Sequence, residues 1–251
     1  MSLFAIADLH LSTLDTTNKS MEVFGPKWSN YTSRLEEAWR NIVTDNDTVV
    51  IAGDISWALT LEEAESDLRF IHELPGQKIL LKGNHDFWWS TNSKLKAFIE
   101  KHNFNSLHFL HNNAFVVGQH LIFGTRSWYH DKDAEGAKLA NASYEKIVAR
   151  ECVRLALSIE EAKKLQKESA VQLFPVCFLH FPPSWGDKSC EPILELLQNH
   201  NVKNCYFGHI HGAAPAQFNI NDTAFKLIAA DALGFVPSLI DLTPTTHHEL
   251  A

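Results

Sequence analysis

Five short apolar runs punctuate the chain: 3–7 (LFAIA), Thr48–Ala52 (TVVIA), 78–81 (KILL), 176–179 (VCFL) and Asn204–Phe207 (NCYF). Most are continuous rather than alternating, the pattern of strands buried on both faces. Further strands are expected at 114–118, 120–125, 216–220 and 224–229, the last two joined as a hairpin through Asn221-Asp222. Helical spacing fills the gaps. Leu35, Trp39, Ile42 and Val43 share one face, and Leu61, Ala64, Leu68 and Ile71 share another. The second of these helices opens on the capping-box spacing Thr60-Leu61-Glu62-Glu63 and ends at Pro75-Gly76. A third stretch, near 138–168, repeats Tyr144, Val148, Cys152, Leu155, Ile159 and Ala162 at three- or four-residue steps. It reads as a helical insertion, and Ser158-Ile159-Glu160-Glu161 offers it a second start.

The residues at the end of each apolar run change the picture. LFAIA leads into Asp8-Leu9-His10, TVVIA into Gly53-Asp54, and KILLK into Gly83-Asn84-His85-Asp86. VCFL leads into His180, and NCYF into Gly208-His209-Ile210-His211. Buried strands have no use for such groups, but ligands of open α/β sheets bind at the carboxyl ends of strands, where segments distant in sequence converge. Carboxylates gathered in a pocket repel one another and lose hydration, whereas shared divalent cations turn the same crowding into coordination. Asp8, His10, Asp54, Asn84, His180, His209 and His211 are too many for one tetrahedral ion and suit two metals bridged by a carboxylate. Nitrogen and oxygen donors without thiolate favour Mn, Fe, Zn or Co over Ca, with Mn placed first.

Composition sets the remaining bounds. At 251 residues and 45% hydrophobic, one layered α/β domain spanning 1–251 accommodates the chain. A formal net charge of -8 disfavours general nucleic-acid or anionic-membrane binding without excluding a small phosphate substrate. No apolar stretch approaches membrane-spanning length, and Asp8 and His10 interrupt the only leader-like run. Cys152, Cys177, Cys190 and Cys205 lack paired spacing and read as reduced thiols of a cytoplasmic protein.

The motifs Asp8-x-His10, Gly53-Asp54, Gly83-Asn84-His85-Asp86, His180 and Gly208-His209-x-His211, in this order, resemble those of the calcineurin-like metallophosphoesterase superfamily. Each motif alone is weak, and the five together are specific. The resemblance implies a two-sheet αββα sandwich with helices on its outer faces. It also implies one metal held by Asp8, His10, Asp54 and His211 and a second by Asp54, Asn84, His180 and His209, with Asp54 bridging. The implied activity is hydrolysis of a phosphomonoester or phosphodiester by a metal-bridging hydroxide, without a covalent enzyme intermediate. His85 would stabilise or protonate the leaving oxygen, and Asp86 would orient His85.

The family's protein-phosphatase branch carries an arginine soon after the glycine-aspartate motif and a glutamate closing the asparagine-histidine one. This chain has Ile55-Ser56-Trp57 and Asp86 there, which brings it nearer the phosphodiesterase-like branch. The run 24–89 resembles a group of bacterial predicted phosphohydrolases, which names no substrate. The rival readings are a non-catalytic scaffold for protein binding, which predicts eroded ligands, and an exonuclease, which needs a basic track. Arg126 is either a phosphate clamp or a surface ion pair. Phe87, Trp88, Trp89, Trp57, Trp128 and Trp185 are either core or a rim that stacks the leaving group. His130-Asp131, His247 and His248 read as loop and tail residues.

Overall fold

The computed structural model describes residues 1–13, 21–128, 144–241 and 250. Two large sheets pack face to face. The first contains β1 (Leu3–Ile6), β2 (Thr48–Ala52), β3 (Gln77–Leu81), β4 (Leu107–Leu110) and β13 (Ser238–Leu239), in the order β13-β1-β2-β3-β4. The second runs β11-β12-β10-β7-β6-β5 and is built from β5 (Phe115–Val117), β6 (His120–Thr125), β7 (Phe174–Leu179), β10 (Asn204–Phe207), β11 (Gln217–Ile220) and β12 (Thr223–Leu227). A small ribbon, β8 (Ser184–Trp185) with β9 (Lys188–Ser189), lies outside both. The strands β1, β2, β3 and β4 are mutually parallel, as are β6, β7, β10 and β12.

The two-residue period of each strand sorts its side chains into layers. From β1, Leu3 and Ala5 face the second sheet and join Val176, Phe178 and Tyr206, while Phe4 and Ile6 face the helices. Those helices are α1 (Tyr31–Ile42), α2 (Glu65–Glu73) and α3 (Asn92–His102), which contribute Leu35 and Trp39, Leu68 and Ile71, and Leu95 and Phe98 to the same core. On the far side, α4 (Tyr144–Glu168) and α5 (Glu191–Asn199) cover the second sheet with Leu155, Ile159, Ile193 and Leu197. The expected αββα sandwich is therefore the observed one. The long helix α4 lies as part of the outer layer on β6.

Local expectations fare unevenly. Thr60 and Glu63 make the reciprocal capping-box bonds, Thr60 N to Glu63 Oε2 at 3.3 Å and Glu63 N to Thr60 Oγ1 at 3.2 Å, although α2 proper starts at Glu65. The hairpin of β11 and β12 turns at Asn221, whose φ of 50° suits asparagine. Ser158 starts no new helix, because α4 is continuous through it. Its buried hydroxyl accepts from Gly124 N and donates to Asn113 O, tying the helix to the second sheet. The sequence expectations leave out α3, β4 and α5, although α5 carries an amphipathic face that buries Ile193 and Leu197. Residues 138–143, His130-Asp131, His247 and His248 lie outside the described residues.

Candidate metal centre

The parallel strands all deliver their carboxyl ends to one edge of the sandwich, and the two sheets are stitched together there. Ala7 N donates to Ile228 O and Ala230 N to Ala7 O, which brings the segment after β1 against the segment after β12. Asp8 N donates to Gly53 O and His10 N to Asp54 O, so the first two motifs run side by side. Asp8, His10, Asp54 and His209 all have positive φ, between 46° and 69°. Side chains rarely adopt that conformation, and it clusters at functional sites.

Two glycines permit the crowding. A Cβ on Gly83 would collide with the Asp54 carboxylate and amide, and one on Gly208 would lie 2.5 Å from Asp8 Oδ2. The motif glycines are thus there for close approach as well as for turning.

Seven side chains proposed from the sequence as metal ligands meet in this edge. One group is Asp8, His10 and His211, and a second is Asp54, His180 and His209, with the candidate ligand atoms of each group all within 4.8 Å of one another. Asn84 joins the second group, its Oδ1 lying 2.7 Å from His180 Nε2. Asp54 stands between the two: one oxygen is 3.4 Å from His180 Nε2 and the other 3.8 Å from His10 Nε2.

Several imidazoles are oriented by a second partner. His180 Nδ1 donates to Ala52 O at 3.1 Å and His211 Nδ1 to Asp231 Oδ1 at 3.1 Å, leaving both Nε2 atoms turned inward. His10 Nε2 and His211 Nε2 face each other at 3.0 Å, and His10 Nδ1 is buried without a hydrogen-bond partner among the described residues. Trp57 stacks on His10 at 5.0 Å between ring centroids.

Burial and mutual charge set the protonation. Burial pushes the Asp8 carboxyl up to about 7 against the pull of His180 and His211. Asp54 is just as buried, but His180 and His10 outweigh that effect and hold it well below the usual carboxylate range. Burial lowers His10 to about 3 and His209 to about 2, so both offer neutral imidazole. His180 goes the other way despite burial, raised to about 9 by Asp54 and Asp8. A divalent cation on those carboxylates would compete with that proton. The donor set, the inward ring nitrogens and the buried, mutually repelling carboxylates fit two metal ions.

The remaining site residues divide. His85 is partly exposed at the mouth, its Nε2 4.0 Å from Asp54 Oδ2 and its ring 4.5 Å from Trp57, while its amide donates to Asp54 Oδ1. Asp86, expected to orient it, is engaged elsewhere. Its fully buried carboxylate accepts from Ile55 N, Ser56 N, Gly83 N and Trp88 Nε1, and so locks together the loops that carry Asp54 and Asn84. Arg126 pairs with Glu151 at 3.0 Å, and because Glu151 is fully buried this is not a surface ion pair. Trp88, Trp89 and Trp128 are core, Trp185 packs partly buried on the second sheet, and Phe87 is exposed beside His85.

One residue was missed. Asp231 holds His211 and also accepts from Gly212 N at 2.8 Å. The signal was present, since Ala229-Ala230-Asp231 repeats the pattern of an apolar run ending in a carboxylate.

Comparison with known proteins agrees with this geometry. The family model described as calcineurin-like phosphoesterase matches residues 1–213, which include every candidate ligand. Three solved structures share the fold. Phosphopantetheinyl hydrolase from Mycobacterium tuberculosis is 14% identical, with 98% of this chain and 97% of that one covered and a TM-score of 0.50. TT1561 of Thermus thermophilus is 9% identical, with 92% and 89% covered and a TM-score of 0.58. GAP50, the anchor in the inner membrane complex of Plasmodium, is 12% identical, with 92% and 72% covered and a TM-score of 0.52. No curated protein matches the chain. Among the described residues no helix is long and apolar enough to cross a membrane.

Proposed function

The chain belongs to the calcineurin-like phosphoesterase family, and from that premise we propose that it hydrolyses a small phosphomonoester or phosphodiester with two divalent transition-metal ions, Mn first and Fe, Zn or Co as alternatives. The observation that carries the reading is the position of Asp54, whose two oxygens reach toward one ligand group each. Asp8, His10 and His211 would hold one ion with Asp54, and Asn84, His180 and His209 would hold the other. When bound, the ions polarise the phosphoryl oxygen and lower the pKa of the attacking water. His85, at the mouth and outside both ligand groups, hydrogen-bonds or protonates the departing oxygen.

A scaffold without catalysis would tolerate loss of ligands, and here each ligand position is filled, with His180 and His211 held by hydrogen bonds from outside the ligand set. An acidic chain lacking a basic track argues against an exonuclease. The test is metal analysis combined with a panel of phosphomonoesters, linear and cyclic diesters and nucleotides, assayed with Mn, Fe, Zn and Co added separately. About two ions per chain and metal-dependent turnover are expected. Saturation at one ion, or no hydrolysis with any metal, overturns the proposal.

A further inference from the structure

Beside the ligand groups lies a cavity of about 410 Å³, within the range of small-molecule sites. It opens between the carboxyl ends of β3, β4 and β6 and the N-terminal half of α4. Its lining contains none of the seven candidate metal ligands and not His85. It does contain Lys82, Arg126 and Arg154 against a single carboxylate, Glu151, in a chain whose net charge is -8.

Glu151 does not neutralise this set. It is fully buried and accepts from Arg126 at 3.0 Å, Arg154 at 2.6 Å and Thr125 Oγ1 at 2.7 Å, so it aligns the two guanidiniums along the wall. Among the described residues Arg126 Nε and the indole nitrogen of Trp89 have no hydrogen-bond partner, and both are shut away from solvent behind the wall. Among the described residues no hydrogen bond or ion pair engages the half-buried Lys82 ammonium. Three cations share this wall with one carboxylate, and the Lys82 ammonium has no partner of its own among the described residues, so the wall offers a site for an oxyanion.

The cavity is joined to the metal centre through the chain itself. Lys82 is two residues before Asn84, and Arg126 O accepts from the amide of Phe181, next to His180. We propose that this cavity binds a second anionic group of the substrate, so that the enzyme acts on a phosphoester carrying another phosphate or a carboxylate a few bonds from the scissile phosphorus. This rests on the hydrolase reading above and narrows its substrate class.

The test compares kcat/KM for glycerol 3-phosphate, 3-phosphoglycerate and glycerol 1,3-bisphosphate on Mn-loaded protein. At least one of the doubly anionic esters should exceed glycerol 3-phosphate by about tenfold, the order expected from one or two hydrogen bonds between charged groups. The two esters separate a carboxylate from a phosphate as the second group. Lys82→Met and Arg154→Gln should each reduce that preference by about fivefold or more. Arg154 lies on a helix that bears no candidate ligand, so its variant guards against damage to the metal centre, and metal content is measured for both. Equal rates on the three esters, or a preference that survives both substitutions, overturn the proposal. If no ester is hydrolysed, the hydrolase reading has failed, and the cavity is judged by calorimetric binding of inorganic phosphate to chelator-treated protein. Binding weakened about fivefold by either substitution supports the oxyanion site; no binding, or binding indifferent to both, refutes it.

Discussion

The two edges of the sandwich bury charge in opposite ways. At the edge where β2 and β3 begin, Lys78 is fully buried and donates to the carbonyls of Leu74 and His72 and to Ser106 Oγ. Asp47, also buried, accepts from Ser2 N at 2.5 Å, Thr44 N at 2.9 Å and Thr44 Oγ1 at 2.7 Å. Each charge there is met by backbone and hydroxyl groups that the fold provides. At the opposite edge Asp8, Asp54 and the histidines face one another, and residues with positive φ hold them there. Compensation from within makes a structural charge, whereas convergence without it makes a site that calls for cations from outside.

The contrast breaks most severely at Asp54. Asp54→Asn removes the group shared by both ligand sets, so metal content and turnover should fall together, further than for a ligand of one ion. Elemental analysis beside the phosphoester assay checks this. A variant with two ions and near-normal turnover removes Asp54 from the bridging position.

His85 sharpens the same edge, since it contributes to the site without belonging to either ligand group. His85→Asn should lower turnover by roughly 10² to 10⁴ with metal content unchanged. Nitrophenyl esters, whose leaving group needs little protonation, should lose less than alkyl phosphates. Equal losses on both would mean that His85 binds phosphate without assisting departure.

At the structural edge the readout should be stability instead. Lys78→Met keeps the apolar stem but leaves buried carbonyls unpaired, a cost of about 1–3 kcal/mol. Urea unfolding should show a lower midpoint while turnover of the folded protein stays near wild type. A large catalytic defect would mean that the two edges are coupled.

The smallest effect concerns Asp47. Burial raises its pKa, but the Thr44 hydroxyl and the amides of Ser2 and Thr44 outweigh this and leave it below the ordinary value of 3.8. A depressed carboxyl stabilises the fold above its unfolded pKa and loses that contribution as pH falls through the folded one. Asp47→Asn should therefore cost about 0.5–1.5 kcal/mol near neutrality, with the difference from wild type shrinking below pH 3.8. A difference that stays constant with pH would assign the effect to packing.

Much of the site was legible before any coordinates. Continuous apolar runs ending in Asp8, Asp54, Asn84, His180 and His209 identify strands and candidate ligands together, because a buried strand excludes such groups from its interior and tolerates them only at its end. The pairing of β11 with β12 and the capping box at Thr60 are equally local, each set by a few neighbouring residues. Asp86 illustrates the limit. Its place beside His85 in the chain suggested a partner for the imidazole, yet its carboxylate turns beneath the loop to Ile55, Ser56, Gly83 and Trp88. Chain neighbours on a tight turn point in different directions, and only the packed loops decide which donors a carboxylate meets.

The sequence by itself determined the buried strands and the candidate donors at their ends, since these follow from burial and from residue types, while the sandwich entered through the resemblance that those motifs carry. Tertiary structure alone decided the distances at which the two groups implied by the resemblance meet around Asp54, that Asp231 steadies His211, and that Lys82, Arg126 and Arg154 share a wall. Those are distances between segments far apart in the chain, set by how two sheets and a helix close on one another, and no local pattern encodes them.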